Sequence, residues 1–178
     1  MKRVSYRRKR EGKTDYNKRL KLLKSGKPRL VVRKTNKQII LQIIKYGEEG
    51  DKVIKSVVSK ELRKHGWQLN LKNIPAAYLT GYLLGKKVKI NDELIVDIGL
   101  QEKGNRLFAA VKGAVDAGLK IRHNPEVFPK ENLIIGEHIQ KYFESSKNSI
   151  QFSQYKKLNV KISEQIKNVK NSIDKVAR

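Results

Sequence analysis

Cationic side chains dominate the first 33 residues of this 178-residue chain, where they face only two carboxylates, Glu11 and Asp15. Guanidinium and ammonium groups form charge-assisted hydrogen bonds with phosphate oxygens, and tyrosine rings between them can stack on bases or sugars. The pattern therefore predicts an arm that binds a nucleic-acid backbone. The candidate contacts in this arm are Arg3, Arg7, Arg8, Lys9, Arg10, Lys13, Tyr16, Lys18, Arg19, Lys21 and Lys27.

The charge of the whole chain points to the same kind of partner. Lysine and arginine total 41 against 17 aspartate and glutamate, a net charge of +24. This excess is larger than solubility requires, and it indicates nucleic acid in preference to an anionic membrane. The absence of cysteine excludes disulfides and thiolate metal sites. The basic N-terminus lacks the apolar segment of a secretory signal, so we expect a cytoplasmic protein.

Residue types that often catalyse reactions are present without the arrangements that catalysis needs. The three histidines lack the spacing of metal ligands and are interpreted as surface or packing residues. Asp92 and Glu93 are adjacent in a turn, and Asp97 suits a capping or ion-pair role. No Ser, His and Asp set is indicated, and the glycines are scattered rather than clustered around a phosphate. The sequence thus offers no support for an enzyme, a metal site or a cofactor.

The arm, residues 1–28, has too few apolar residues to form a core and is expected to be disordered or loosely helical in isolation. Tyr16 can contact RNA, or it can join nearby leucines on one side of a short helix that packs on the body. Gly26 and Pro28 end any helix and favour an extended entry into the first strand.

Two strands, residues 29–34 and 38–44, follow the arm and are joined by a polar turn that contains Asn36. The second strand is almost continuously apolar, which predicts burial on both of its faces. Cations at the strand ends and the turn either guard a sheet edge or join the arm in binding a polyanion. These cations are Arg29, Arg33, Lys34 and Lys37.

Further strands and helices alternate up to residue 143. Asn73 is the predicted N-cap of the clearest helix, in which Gly81 and Gly85 permit close approach of another backbone, and Asn105 is the predicted N-cap of a second helix. Trp67 is expected to anchor the packing. The predicted elements are a strand at 52–58 whose pattern also fits the start of a helix, helices at 59–65, 73–87, 106–117 and 131–143, a strand at 94–98 and an extended segment at 121–129.

A polar linker at 145–154 precedes a tail with one narrow apolar stripe on a basic helix, predicted from about residue 156 to 176. This stripe is expected to dock on the body, on a partner protein or on RNA. Its members are Leu158, Ile162, Ile166, Val169, Ile173 and Val176.

Four stretches of the sequence, in this order, resemble one known family: residues 7–16 (RRKREGKTDY), 22–33 (LLKSGKPRLVVR), 73–81 (NIPAAYLTG) and 108–119 (FAAVKGAVDAGL). The sequence resembles large-subunit ribosomal protein eighteen, the universal 5S rRNA-binding family, in its archaeal form. The resemblance extends over about residues 1–144 and does not include the tail.

The resemblance implies an α/β fold in which a small mixed sheet is backed by helices, with a basic N-terminal arm. It implies an arm at 1–28 and a 5S rRNA-binding domain at 29–144. The linker and the helical C-terminal extension at 145–178 are predicted from the residue pattern alone. The implied function is structural: binding of 5S rRNA and its attachment to 23S rRNA in the central protuberance, beside a neighbouring 5S-binding ribosomal protein. The implied RNA contacts are the arm, then Arg29, Arg33, Lys34, Asn36 and Lys37, and further Lys86, Lys87 and Arg106.

Two other functions stay open at this point. A non-ribosomal RNA-processing enzyme of the ribonuclease H type needs clustered carboxylates around a metal, whereas the acids here are spread out; a magnesium-dependent nuclease assay separates the two. A protein of the membrane surface is suggested by the tail stripe alone, and flotation with liposomes tests it.

Overall fold

A four-stranded mixed sheet forms the centre of the computed structural model, which describes residues 4–101, 104–145, 155 and 161–176. The strands are β1 (Arg29–Lys34), β2 (Ile39–Lys45), β3 (Lys52–Val58) and β4 (Ile95–Asp97), in the order β3-β2-β1-β4. The first three are antiparallel neighbours, and β4 is parallel to β1. The α/β class and the mixed sheet are thus confirmed, and the segment at 52–58 is a strand.

One face of the sheet belongs to the core. Leu30 pairs with Ile43 and Val32 pairs with Leu41, and all four side chains are buried. The expectation that β2 is buried on both faces is wrong, because its residues alternate between buried and half-buried. The helical layer covers only the inner face, so the outer face is screened only partly.

The helical layer consists mainly of α3 (Ile74–Lys87) and α4 (Asn105–Asp116), which lie in very close contact. Asn73 caps α3 as predicted, because its Oδ1 accepts a hydrogen bond from the Ala76 N–H at 2.9 Å. A Cβ atom on Gly81 would lie 1.9 Å from the carbonyl oxygen of Ala110, so the predicted close approach is confirmed. The N-cap of α4, however, is Gly104 and not Asn105, which is the first helical residue.

The segment at 59–65 is a 3-10 helix, Ser59–His65, which ends at Gly66 in the left-handed conformation. Trp67 follows it with no exposed surface, and its Nε1 donates to the carbonyl oxygen of Asn70 at 3.1 Å. This arrangement confirms the tryptophan as a packing anchor. Residues 121–129 are not wholly extended, because they include a short 3-10 helix, Pro125–Val127.

The helix predicted at 131–143 is interrupted, and it forms α5 (Glu131–Ile134) and α6 (Glu137–Ser145). Gly136 separates them with a φ of +79°, a conformation that favours glycine. A Cβ at this glycine would approach the Ile162 side chain to 2.8 Å. The interruption therefore leaves room for the start of the tail helix.

The tail helix α7 (Ile162–Val176) packs on α3, and its apolar stripe joins the main core. Ile162, Ile166, Val169 and Ile173 are buried, so these members of the stripe dock on the body as expected, whereas Val176 at the end of the helix is exposed. Leu158 and the predicted helical residues 156–160 lie outside the described part of the chain. No helix in the described residues is long and apolar enough to cross a membrane.

The arm contains two short helices, α1 (Arg7–Arg10) and α2 (Tyr16–Leu23), and neither contains a buried residue. Its side chains therefore contribute little to the core, as the composition predicts. The arm contacts the body through Lys18, which bonds to Gly99 after β4, and Arg19, which bonds to Asp51 before β3, and it forms one side of the candidate interface.

Candidate nucleic-acid interface

The helix α2 begins with a side-chain cap and is held at two points on the body. The Asp15 carboxylate accepts a hydrogen bond from the Lys18 backbone N–H at 3.0 Å, which fixes the start of the helix. The Lys18 ammonium donates to the carbonyl oxygen of Gly99 at 2.7 Å. Arg19 forms an ion pair with Asp51 at 2.8 Å. The arm thus has a defined position against the sheet.

A cleft of about 500 Å³ opens between the arm and the end of the sheet. Five cations line it against two carboxylates, those of Asp15 and Asp97, so the cleft has an excess of positive charge that suits phosphate groups. Leu22 and Leu100 supply apolar surface. The lining cations are Arg8, Lys13, Lys18, Arg19 and Arg33.

Tyr16 also lines this cleft, and its ring lies 5.0 Å from that of Tyr6, measured between the centroids. The two rings are tilted by 40°, and Tyr6 is exposed. Tyr16 therefore makes its ring contact within the arm, and the pair leaves aromatic surface beside the cations. Aromatic surface in such a position can accept a stacked base.

Arg29 occupies a different environment from the one expected of an RNA contact. Its side chain is 2% exposed, with Nη1 donating to Asp97 at 3.0 Å and Nη2 donating to Asp51 at 2.7 Å. A buried guanidinium that is engaged by two carboxylates cannot reach a phosphate. Arg29 is therefore corrected from an RNA contact to a structural ion-pair residue.

Arg33 lies on the same strand but borders the cleft, with 39% of its side chain exposed. Its Nη1 donates to the Asp97 carbonyl oxygen at 2.7 Å, and its Nη2 donates to the Asp97 carboxylate at 3.1 Å. These bonds hold the guanidinium at the cleft. Asp97 partly neutralises Arg33, but the cleft as a whole keeps an excess of positive charge. Arg33 thus stays a predicted RNA contact.

Both carboxylates of this ion-pair network are held in the charged form. Burial acts to raise the pKa of Asp97, but the charge of Arg33 and the Gly99 N–H outweigh it, and the pKa lies below its ordinary 3.8. Burial likewise opposes ionisation of Asp51, whose pKa is nevertheless lowered by the hydrogen bonds and charges of Arg19 and Arg29. The network therefore stays ionised near neutral pH.

The turn between β1 and β2 forms a second basic surface. Lys34, Asn36 and Lys37 are exposed there, and the Thr35 hydroxyl organises the turn by accepting the backbone N–H of Gln38 at 3.0 Å. A groove of about 660 Å³ separates this turn from the 3-10 helix Ser59–His65.

Two cations of that groove, Lys60 and Arg63, are absent from the candidates that the sequence indicates. Lys60 is exposed, and Arg63 donates to the carbonyl oxygen of Gln68 at 3.0 Å. In the sequence, these two residues are recognisable only as charged positions of the predicted helix at 59–65. The sequence does not show which face of that helix lies beside the turn.

The remaining candidates of the body lie apart from the arm cleft. Lys86 forms an ion pair with Asp174 of α7 at 3.1 Å, and Lys87 pairs with Glu61. Arg106 is exposed at the start of α4 and lines a separate cleft of about 530 Å³ together with Lys34 and Lys72. These three candidates stay predictions, and Lys86 and Lys87 are partly neutralised by their partners.

The remaining arm candidates point away from the core. Lys27 pairs with Glu93, and Arg7 and Lys13 lie 3.6 and 2.8 Å from Glu11. The residues Lys9, Arg10 and Lys21 are exposed. Arg3 lies outside the described residues. Within the described ranges, no group of three His, Asp or Glu side chains is placed to hold a metal ion.

Comparison with known proteins gives a consistent result. Residues 2–94 match the family model described as ribosomal large subunit proteins 60S L5 and 50S L18. Large ribosomal subunit protein uL18 of Korarchaeum cryptofilum is 53% identical over 160 residues, which cover 85% of this chain and 82% of the relative. The uL18 protein of Methanosphaera stadtmanae is 45% identical over an alignment of 185 residues, covering 98% and 96% of the two chains. That of Methanothermobacter thermautotrophicus is 50% identical over 146 residues, covering 80% and 76%.

Proposed function

The chain belongs to the uL18 family of large ribosomal subunit proteins, and from this premise we propose that it binds 5S rRNA and helps to attach it to 23S rRNA in the central protuberance. The structural role in the large subunit comes with the family, as do rRNA and ribosomal proteins as partners. The choice of 5S and 23S rRNA, a neighbouring 5S-binding protein, and a cytoplasmic location in that part of the subunit are the proposed details.

The observation that carries the proposal is the position of the arm cations. Four of them, Arg8, Lys13, Lys18 and Arg19, line an open cleft beside β1 and β4, and the arm helices bury no side chain in the core. Because the arm cations contribute little to the folded core, their high number in the first 28 residues is explained by a ligand that bears many phosphates. The hairpin turn adds a second group of exposed cations at a short distance along the chain from the arm.

In the proposed mechanism, phosphate contacts supply most of the affinity and hold the protein in register. Selectivity comes from RNA shape, 2′-hydroxyl groups and stacking, because side chains cannot read the deep major groove of A-form RNA. The protein neutralises phosphates on two RNAs, which lets them lie side by side, and no chemical step is required. The proposed contacts are Arg3, Arg7, Arg8, Lys9, Arg10, Lys13, Tyr16, Lys18, Arg19, Lys21, Lys27, Arg33, Lys34, Asn36, Lys37, Lys86, Lys87 and Arg106.

Titration of the full chain with labelled 5S rRNA tests the first part of the proposal. A transfer RNA serves as the control, since it also carries many phosphates on folded A-form helices. We expect tighter binding to 5S rRNA and an affinity that falls steeply with salt. Equal affinity for both RNAs across the salt series would identify a general RNA binder and contradict the proposal.

The attachment step needs its own experiment. With 5S rRNA immobilised on beads, fragments of 23S rRNA are added with and without the protein. We expect one set of fragments to be retained only when the protein is present. Retention that is independent of the protein would show that the two RNAs associate without it.

A further inference from the structure

Asp51 lies between two arginines that come from different parts of the chain. Its Oδ2 accepts from Nη2 of Arg29 at 2.7 Å and from Nη2 of Arg19 at 2.8 Å. Arg29 is buried in β1, whereas Arg19 belongs to the arm helix α2. We refer to these three side chains as the Arg19–Asp51–Arg29 bridge.

The core end of the bridge is held by several hydrogen bonds. The other terminal nitrogen of Arg29, Nη1, donates to Asp97 at 3.0 Å. The Asp97 carboxylate also accepts the Gly99 backbone N–H at 2.8 Å. Since Arg29 is held from two sides, it fixes the Asp51 carboxylate. Asp51 in turn gives Arg19 one preferred position on the surface.

The arm end of the bridge has a second support close by. Lys18, which precedes Arg19 in α2, donates to the carbonyl oxygen of Gly99. The same two residues line the cationic cleft, so their positions define its shape. The arm helices bury no side chain, so these polar contacts account for much of what holds α2 on the sheet.

We infer that Asp51 is a positioning residue for RNA binding, which holds the arm helix α2 on the sheet before RNA arrives. The inference rests on the proposed function, since it concerns how that RNA site is prepared. An arm that is already in place avoids part of the ordering entropy that a free arm loses on binding, so it binds more tightly.

Simple electrostatics predicts the opposite effect for this residue. A carboxylate beside a phosphate-binding cleft repels the ligand, so its removal raises the positive charge and strengthens binding. Positioning predicts weaker binding after the same removal. The sign of the change in affinity therefore separates the two roles.

The test compares Asp51→Asn with Glu49→Gln in the full chain. Both variants replace one carboxylate by an amide of similar shape in the same connection between β2 and β3. Glu49 is exposed, and no ion pair within the described part of the chain includes it. Glu49→Gln thus measures the effect of charge alone.

Binding to 5S rRNA is measured first, and hydrogen exchange of the free proteins second. We expect Asp51→Asn to bind about two- to fivefold more weakly than wild type, in keeping with a partly exposed ion pair. Glu49→Gln is expected to bind equally or slightly more tightly. In Asp51→Asn, amides of residues 16–23 exchange faster, while those of β1 and β2 are unchanged.

The outcomes are distinguishable. Wild-type protein without preference for 5S rRNA would contradict the proposed function itself. Wild type with that preference, together with an Asp51→Asn variant that matches Glu49→Gln in affinity and in arm exchange, would overturn the positioning role alone. Faster exchange in β1 and β2 as well as in the arm would make Asp51 a residue of the core fold, and this outcome also overturns the inference.

Discussion

Arg29 and Arg33 project from the same face of β1, yet one is buried and the other borders the cleft. Strand alternation predicts the shared face but not the difference, which arises because Asp51 and Asp97 are brought to Arg29 from distant segments. Ion pairs between residues far apart in sequence leave no local pattern. The sequence therefore supports both arginines as RNA contacts, and only the fold separates them.

Alanine at these two positions gives a matched pair of variants. Arg29→Ala leaves buried carboxylate oxygens without their partner, so we expect the free energy of unfolding to fall by about 3 kcal/mol. Arg33→Ala is expected to cost less stability and to weaken 5S rRNA binding by about 1–3 kcal/mol. Urea unfolding and RNA titration measure the two effects. Equal stability losses would contradict the distinction.

The pH dependence of stability tests whether the charge of Asp97 stabilises the fold through its ion pairs. Its pKa is lower in the folded protein than its ordinary value, so its stabilisation is complete above about pH 5 and is lost as the pH falls through the folded pKa. We expect wild type to be more stable than Asp97→Asn at pH 7, and this difference to shrink as the pH falls below about 4. Urea unfolding over this range provides the measurement. A difference that is independent of pH would show that the charge of Asp97 contributes nothing.

The helices differ in how far local sequence determines them. The start of α3 follows from Asn73 and Pro75, and its close contact with α4 follows from Gly81. The interruption at Gly136 has an ambiguous local signal, because a lone glycine in a helical pattern can be tolerated or can break the helix. Its contact with Ile162 of α7, a residue remote in sequence, becomes visible only in the fold.

Gly81→Ala tests the contact between α3 and α4. Alanine improves helix propensity by about 1 kcal/mol, but its Cβ would meet the Ala110 carbonyl oxygen at 1.9 Å. We expect the clash to outweigh the gain and the unfolding free energy to fall by about 1–3 kcal/mol. Thermal unfolding provides the measurement. A Gly81→Ala variant as stable as wild type, or more stable, would argue against the close contact.

Truncation of the tail stripe tests the docking of α7. Ile173 is 1% exposed against α3, whereas Val176 at the end of the same helix is 72% exposed. We expect Ile173→Ala to lower the unfolding free energy by about 2–4 kcal/mol and Val176→Ala to leave it nearly unchanged. Chemical denaturation measures both. If the two variants were equally stable, α7 would not be part of the core in solution.

For the molecule as a whole, the distribution of charge is easier to predict than the position of the charged segments. The density of cations in the arm is evident from composition, and so is a polyanionic partner. The position of the arm on the sheet depends on Lys18 and Arg19, whose partners Gly99 and Asp51 are remote in sequence. Such contacts are decided by the assembled fold and not by the arm itself.

Removal of residues 1–28 tests whether the arm is needed for RNA binding but not for folding. The arm helices bury no side chain, so we expect the truncated protein to keep its fold as judged by circular dichroism. Its affinity for 5S rRNA should fall, and the slope of the logarithm of affinity against salt should decrease by about one unit for each phosphate that the shortened protein no longer neutralises. Unchanged affinity and slope would mean that the arm is not a principal binding segment for this RNA.

The packing of α7 on α3 also has a consequence for synthesis of the chain. The apolar face of α3 receives part of its cover from a helix that is translated much later. At about 5–20 residues per second, α7 is synthesised several seconds after α3. The apolar face of α3 is incompletely covered during that time. During this interval the nascent chain combines exposed apolar surface with a strongly basic arm, so it is open to aggregation and to non-specific binding of RNA.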